Sequence, residues 1–440
     1  MNFRNSSNDR RPRYLVIISL DGLSSSDLEI IKTLPNFNEI LTTGSYARKV
    51  LGVYPTQTYP IHTSLITGVF PNKHGIATNT RFTPGATKPD WFWFGKDIQV
   101  PTLYDVARDA NLKVGSLLWP GTAGAQIDYH FPIIMPKKRR FMLPILLLRN
   151  GTPGLISYSL LRFGYLLSPM AVYGFDNCFT DNFVAAAASF LIRNRNPNLL
   201  LVYMLELDQK RHLYGASSRI AQKAIYNHDI RLGKILKASK EAGTFKNTAF
   251  FIIGDHGHFN AKYRININVA FKEARLITID RIGKVSNWKA WANCKGGSAQ
   301  IRLKKKDDET LRREVYRILT NLKDDPKLGI DRIYCQEDIH RLKVSDDIDF
   351  VLEAKPGFYF SNHFNRKIIE PAEKKHKSVH GYRPELAGNQ ALFLAAGAGI
   401  RKGVVLPKIN HVDLAPTAAS LLGLKMKEVD GRTLTSIIKQ

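Results

Sequence analysis

The chain has 440 residues, 44% of them hydrophobic and 23% charged, which excludes a disordered chain or a small disulfide scaffold and leaves room for one large domain with a smaller one inserted. Its 64 basic and 38 acidic residues give a net charge of +26, a balance suited to polyanionic surroundings such as nucleic acid, an anionic membrane face or phosphorylated substrates. Three widely spaced cysteines, Cys178, Cys294 and Cys335, form neither a disulfide framework nor a CxxC metal knot and fit a reducing compartment.

Residues 1–12 read as a polar, basic tail. The unbroken apolar run Tyr14–Leu20 reads as a buried strand ending at Asp21. It is too short for a signal peptide and no small-residue cleavage site follows it, so the expected location is cytoplasmic. A short amphipathic helix is expected over Leu34–Leu41. Next comes the stretch around which the chain is organised, a Pro-bounded turn at Tyr54-Pro55 that presents Thr58 and continues as a helix to Gly68. Taken alone, Thr58 reads as a helix N-cap. Trp91-Phe92-Trp93-Phe94 follows in a Gly/Pro-rich loop. Four consecutive aromatics cannot all face one core, so Trp91 and Trp93 are candidates to clamp a nucleobase or an apolar leaving group, against packing within the loop.

A helix from Pro101 to Arg108 and a strand over Lys113–Trp119 come next, then buried strands at Leu199–Leu205, Thr248–Gly254 and Ala391–Ala396. A last helix, Val412–Leu422, stops at Gly423. This alternation predicts an α/β fold with a mostly parallel central sheet covered by helices on both faces. Two stretches interrupt it. Residues 137–173 are basic and then apolar, broken by Arg149, Pro153, Arg162 and Pro169, so no clean transmembrane span exists. They read as a lid packed on the domain, with an interfacial contact to an anionic membrane as the alternative. Residues 298–355 are charge-rich, hold an amphipathic helix over Glu309–Leu322, and read as a small α+β insertion. The catalytic domain is then 13–297 plus 356–440.

Chemistry-bearing residues follow the carboxyl ends of these strands, where open α/β sheets place their sites. Asp21 follows the first strand, Asp208 the one at Leu199–Leu205, and Asp255 the one at Thr248–Gly254. Helical spacing puts Asp208 and His212 on one face, suited to one metal ion. Asp255-His256-Gly257-His258 places adjacent donors in a tight turn, and His380 sits in a Gly-bounded loop. A carboxylate and imidazole set suits zinc, whereas oxygen donors alone would suit Mg²⁺ or Ca²⁺. With a hydroxyl nucleophile, it is what a two-metal hydrolase needs. His62 and His74, flanking the Thr58 helix, read as structural, and His258 as polar packing, with support of a metal ligand as the alternative.

As an ordered set, Ile18-Ser19-Leu20-Asp21-Gly22, Pro55-Thr56-Gln57-Thr58-Tyr59-Pro60, Thr67-Gly68-Val69-Phe70-Pro71-Asn72-Lys73-His74-Gly75, Asp208 with His212, Gly254-Asp255-His256-Gly257, His380-Gly381 and Asp413-Leu414-Ala415-Pro416-Thr417 resemble the nucleotide pyrophosphatase/phosphodiesterase family of the alkaline phosphatase superfamily. The resemblance runs from about 14 to 435 apart from the two interruptions. It departs from the family at Ile61, where Asn is common, and at His258, where an apolar residue is usual. It implies an alkaline-phosphatase-like fold and two zinc ions per chain, one held by Asp208, His212 and His380, the other by Asp21, Asp255, His256 and the Thr58 oxygen. It also implies a Thr58 phosphoryl intermediate in the hydrolysis of phosphoric diesters or pyrophosphates, with Asn79 donating to a phosphoryl oxygen. The substrate is then a phosphate ester or nucleotide. Lys73, Arg81, Arg211 and Arg383 are the cations that would supply extra charge for a monoester. Rival readings are a phosphonoacetate hydrolase or phosphoglycerol-type transferase of the same superfamily, and a basic non-catalytic protein binding nucleic acid or membrane. No specific nucleic-acid motif is present to support the last.

Overall fold

The computed structural model describes residues 11–86, 89–135 and 140–439. Most of the basic tail and the Lys137-Lys138-Arg139 run therefore lie outside the described residues. A nine-stranded sheet forms the centre. Its order is Val405–Leu406, Ser45–Leu51, Ala391–Gly397, Thr248–Gly254, Tyr14–Leu20, Leu199–Met204, Val114–Leu117, Tyr129–Phe131, with Ile409–Asn410 also paired to Ser45–Leu51. The sheet is mostly parallel; the strand Ala391–Gly397 runs antiparallel to both neighbours.

The central strands are buried along their length because helices cover the sheet. One helical group comprises Asn177–Asn194, Arg219–Glu241 and Pro35–Thr43; another comprises Thr58–Thr67, Leu103–Asp109 and Leu414–Leu421. The Thr58 helix stops where expected, at Gly68, whose φ of 72° takes the left-handed turn that ends the helix.

A second hydrophobic core gathers around the four-stranded antiparallel sheet Ala290–Lys295, Ser298–Leu303, Phe350–Ala354 and Ile330–Tyr334. Leu311, Val315 and Leu319 of the helix Glu309–Asp324 pack into it, as do Ile265, Phe271, Phe360 and Tyr382. This core thus reaches beyond 298–355 on both sides, because segments flanking that charged stretch supply apolar side chains to it.

Residues 140–173 form short helices, Leu143–Asn150 and Pro153–Phe163 the longest. Leu155 and Ile156 are buried, and Tyr158 stacks on Phe190 of the long helix at 4.3 Å. The outward side remains apolar, with Leu161 89% exposed. Among the described residues, no helix is long and apolar enough to cross a membrane.

The helix Glu206–Tyr214 is anchored by a buried ionic cluster. Asp181 accepts from the backbone N–H of Leu205 and Glu206 at its start, at 2.9 and 2.8 Å. Arg231 donates to Glu206 at 2.5 Å, to Asn182 at 2.9 Å and to the Cys178 carbonyl at 3.0 Å. Removing the guanidinium strands two buried carboxylates without a cation. Arg231→Met is expected to cost about 3–5 kcal/mol of stability, read from the urea unfolding midpoint.

Candidate metal centre

The register across three neighbouring strands sets the site. Leu20 lies opposite Met204 on one side and Gly254 on the other, so the three chains leave the sheet abreast. Asp21 and Asp255 follow at once, and Asp208 comes from the first turns of the helix after Met204.

Asp21, Asp255 and His256 form one buried group. Asp255 accepts from the backbone N–H of Gly22 and of His256 through Oδ1, at 2.8 and 2.9 Å, and Asp21 accepts from the Tyr203 hydroxyl through Oδ2. That leaves Asp21 Oδ1, Asp255 Oδ2 and His256 Nε2 without hydrogen-bond partners, although all are buried. His256 Nε2 lies 3.5 Å from Asp21 Oδ1 and 3.3 Å from Asp255 Oδ2. Buried polar atoms left unpaired are costly, and three that converge are satisfied together by one divalent cation. Burial and the Asp255 and Asp208 carboxylates raise the Asp21 pKa well above the usual carboxylate range. Burial pushes His256 down to about 3, so its imidazole is neutral and fit to ligate.

Asp208 Oδ1 is the hub of the other group. His212 Nε2 lies 3.3 Å from it, His258 Nε2 2.9 Å and His380 Nε2 3.9 Å. His212 Nδ1 donates to the Ser378 carbonyl at 2.7 Å and His380 Nδ1 to the Thr56 carbonyl at 3.0 Å, which turns each Nε2 inward as an electron-pair donor. Burial raises the cost of charge on Asp208, yet His212 and His258 together hold its pKa well below the usual range. The His380 ring stacks on His256 at 3.7 Å, so the two donor groups share a wall. Potential ligand atoms also come together as Asp208, His212 and His258, and as Asp208, His256 and His380.

Thr58 opens the helix Thr58–Thr67 beside this centre. Asn79 Oδ1 accepts from the Tyr59 N–H at 2.8 Å, and the Asn79 N–H donates to Gln57 Oε1 at 3.0 Å. With its carbonyl engaged, the Asn79 amide keeps its NH₂ as a donor at a cavity wall. Two chambers meet there: a cavity of about 840 Å³ lined in part by Thr58 and Asp21, and one of about 390 Å³ lined in part by Arg264, Gly296 and Phe360. Trp91 borders both. It stacks on Trp93 at 5.6 Å, and Tyr59 meets Trp91 edge-on, so these rings pack within the loop and also line the cavity.

His62 and His74 have structural partners, as read from the sequence. His62 bonds the Ser19 hydroxyl and the Thr58 carbonyl, both at 2.7 Å, and His74 bonds Ser64 at 2.9 Å. For His258 the structure favours the supporting alternative over polar packing: it reaches Asp208 with Nε2 while its Nδ1 meets Ser378 Oγ at 3.1 Å. The i, i+2 spacing from His256 in a Gly turn was the available signal. Tyr203, the partner of Asp21, was missed; a hydroxyl-bearing ring near the end of an aliphatic strand was its only mark. Of the four candidate cations, Lys73 pairs with Asp430, Arg81 with Asp97, Arg211 with Asp27 and Arg383 with Asp331, at 2.5 to 2.6 Å. Arg264 and Lys375 stand on the smaller chamber instead, each paired to Glu373.

Known proteins resemble the chain in sequence and in fold. Residues 15–383 match the family model described as type I phosphodiesterase/nucleotide pyrophosphatase. Human ectonucleotide pyrophosphatase/phosphodiesterase family member 1 is 24% identical over 93% of this chain and 40% of its own length. Venom phosphodiesterase 2 of Crotalus adamanteus is 22% identical over 93% of this chain and 45% of its own. The chain thus spans less than half the length of these two relatives. The solved structure of human family member 5 has a TM-score of 0.69 at 22% identity and covers 97% of this chain and 100% of that one. An inactive murine family member 5 in complex with AMP has a TM-score of 0.68, with the same coverage and identity. These likenesses establish the alkaline-phosphatase-like fold, and the family match over most of the sequence places the chain in the type I phosphodiesterase/nucleotide pyrophosphatase family.

Proposed function

We propose that the protein hydrolyses phosphoric diesters or pyrophosphates at a centre that holds two zinc ions. The observation that carries this is the convergence of unpartnered Asp21 Oδ1, Asp255 Oδ2 and His256 Nε2 beside the Thr58 helix. Asp21, Asp255, His256 and Thr58 would hold one ion, and Asp208, His212 and His380 the other, with His258 positioning Asp208. Bound zinc supplies positive charge that favours the ionised Thr58 oxygen and the departing alkoxide.

The chain's own residues do the rest. Thr58 Oγ1 attacks phosphorus as its proton is lost, and the bond from phosphorus to one ester oxygen breaks. That oxygen departs as the alkoxide and takes a proton from water, while the Thr58 proton passes to solvent. Asn79 donates its NH₂ to a non-bridging oxygen, where negative charge grows in the transition state. Water then cleaves the Thr58–phosphate ester and restores the hydroxyl. The hydrogen bonds from His212 to Ser378 and from His380 to Thr56 hold both rings in orientation throughout. The AMP complex of the murine relative supports nucleotide esters among the substrates, and Trp91 and Trp93, on the cavity wall, would be the rings to contact a base.

The charge around the nucleophile favours a diester over a monoester. A monoester dianion calls for a further cation near Thr58. Lys73, Arg81, Arg211 and Arg383 are each held by a carboxylate, and the donor at the site is the neutral Asn79.

Three outcomes are expected. Metal analysis of the purified protein should find about two zinc ions per chain, chelation should abolish turnover, and Asp255→Asn should lose one ion while keeping the fold by circular dichroism. Thr58→Ala should lower kcat by about 1,000-fold or more with an unchanged unfolding midpoint, and Thr58→Ser should retain part of the rate; near-normal turnover of the Ala variant would move the nucleophile to water. Finally, kcat/KM should be higher for a nitrophenyl nucleotide diester than for nitrophenyl phosphate. If the monoester is preferred, Lys375→Ala should reverse the order.

A further inference from the structure

The two chambers differ in chemistry. The larger one runs from Thr58 beneath the helix Leu143–Asn150, and its walls are aliphatic and aromatic. Leu118, Phe131, Ile133 and Ile134 form one side and Leu143 and Leu147 the roof. Its mouth carries Met135 and Phe175, the latter 61% exposed. Beyond the metal centre and Asn79, its polar side chains include Tyr59, Asn177, Thr180 and the two indoles, set in an otherwise apolar lining.

The smaller chamber is the more polar of the two. Arg264, Asn362, His363, Lys375 and His376 line it with Glu373. Arg264 is held by Glu370 at 2.7 Å and by Glu373, and Lys375 by Glu373 at 3.2 Å, so the wall presents donors and acceptors of both signs with little excess charge. Asn79, Trp91, His212 and His380 border both chambers, so the chambers meet where phosphorus would be held.

A phosphoric diester has two arms that leave phosphorus in different directions. Resting on the diesterase reading above, we infer that this site takes a diester with one long alkyl arm, in the larger chamber, and one small polar arm, such as glycerol, in the smaller. A long chain buries methylenes against Leu143, Leu147 and Ile133, whereas a nucleoside reaching those side chains would set its ribose hydroxyls against aliphatic carbon. The apolar outer side of the lid, including Ile145 and Leu161, continues the same chemistry to the surface.

The test compares the ethyl and octyl esters of glycerol phosphate with zinc-loaded protein, following products by phosphorus NMR. Burying each added methylene favours the octyl ester, so its kcat/KM should exceed that of the ethyl ester by at least about 100-fold. Octylphosphonate should bind more tightly than ethylphosphonate by a similar factor in calorimetry, a readout that needs no turnover. Leu147→Glu, on the half-buried roof, should collapse both ratios, and Phe175→Ser at the exposed mouth should lower them if the roof variant fails to fold. Presenting the octyl ester dissolved and in phosphatidylcholine vesicles separates a free lipid from a bilayer as the source of the chain. Hydrolysis of the ethyl ester with no gain for octyl, or equal affinity for the two phosphonates, overturns the alkyl-arm assignment and leaves the diesterase reading intact. No turnover of either ester, nor of the nitrophenyl nucleotide, overturns the diesterase reading and this inference with it.

Discussion

Three carboxylates, Asp21, Asp208 and Asp255, converge at the ends of three adjacent parallel strands, and the rest of the architecture serves that meeting. Like charges in a buried site repel, and the raised pKa of Asp21 records the cost. Helices and strands alone do not remove it. Cations do, and the unpartnered inward-facing atoms of Asp21, Asp255 and His256 show where they are needed. What the polypeptide does supply is orientation: backbone N–H groups fix Asp255, Tyr203 fixes Asp21, and carbonyls fix His212 and His380.

The second core takes part in this orientation rather than hanging from the domain. The turn between its strands Ala290–Lys295 and Ser298–Leu303 reaches the His380 loop, where the Gly297 N–H donates to the His380 carbonyl at 2.9 Å. Gly296, at φ 64°, approaches so closely that a Cβ there would lie 1.9 Å from the same carbonyl oxygen. Only glycine permits this approach. Segments on either side of 298–355, Gly296 and Phe360 among them, therefore border one side of the site while Leu143 and Leu147 border the other, and the two walls differ in polarity. The candidate metal centre is thereby flanked by two unequal chambers.

Buried charge also runs outward from the centre. Arg231 ties Glu206 and Cys178 together, Asp181 caps the helix that carries Asp208, and Arg211 crosses from that helix to the Gly22 carbonyl and Asp27. Arg211 sits next to His212, a candidate metal ligand, yet is spent on structure. Its charge locks the Asp208 helix to the loop that carries Asp21.

The ligand-bearing strand ends were legible because an unbroken apolar run followed by Asp leaves few alternatives, and because Asp208 and His212 share a helical face at i, i+4. The Thr58 helix was legible for a similar local reason, Gly68 ending it where a left-handed turn is required. Those features depend on neighbours in sequence, so sequence by itself determined them. The contact of His258 with Asp208, of Tyr203 with Asp21, and the pairing of Lys73, Arg81, Arg211 and Arg383 with distant acids join residues as far as 357 positions apart. The same holds for the two chambers, whose walls come from segments that meet only when the sheet has formed. Burial and chain crossing create those contacts, and neither leaves a periodic mark in the sequence; the tertiary structure alone decided them.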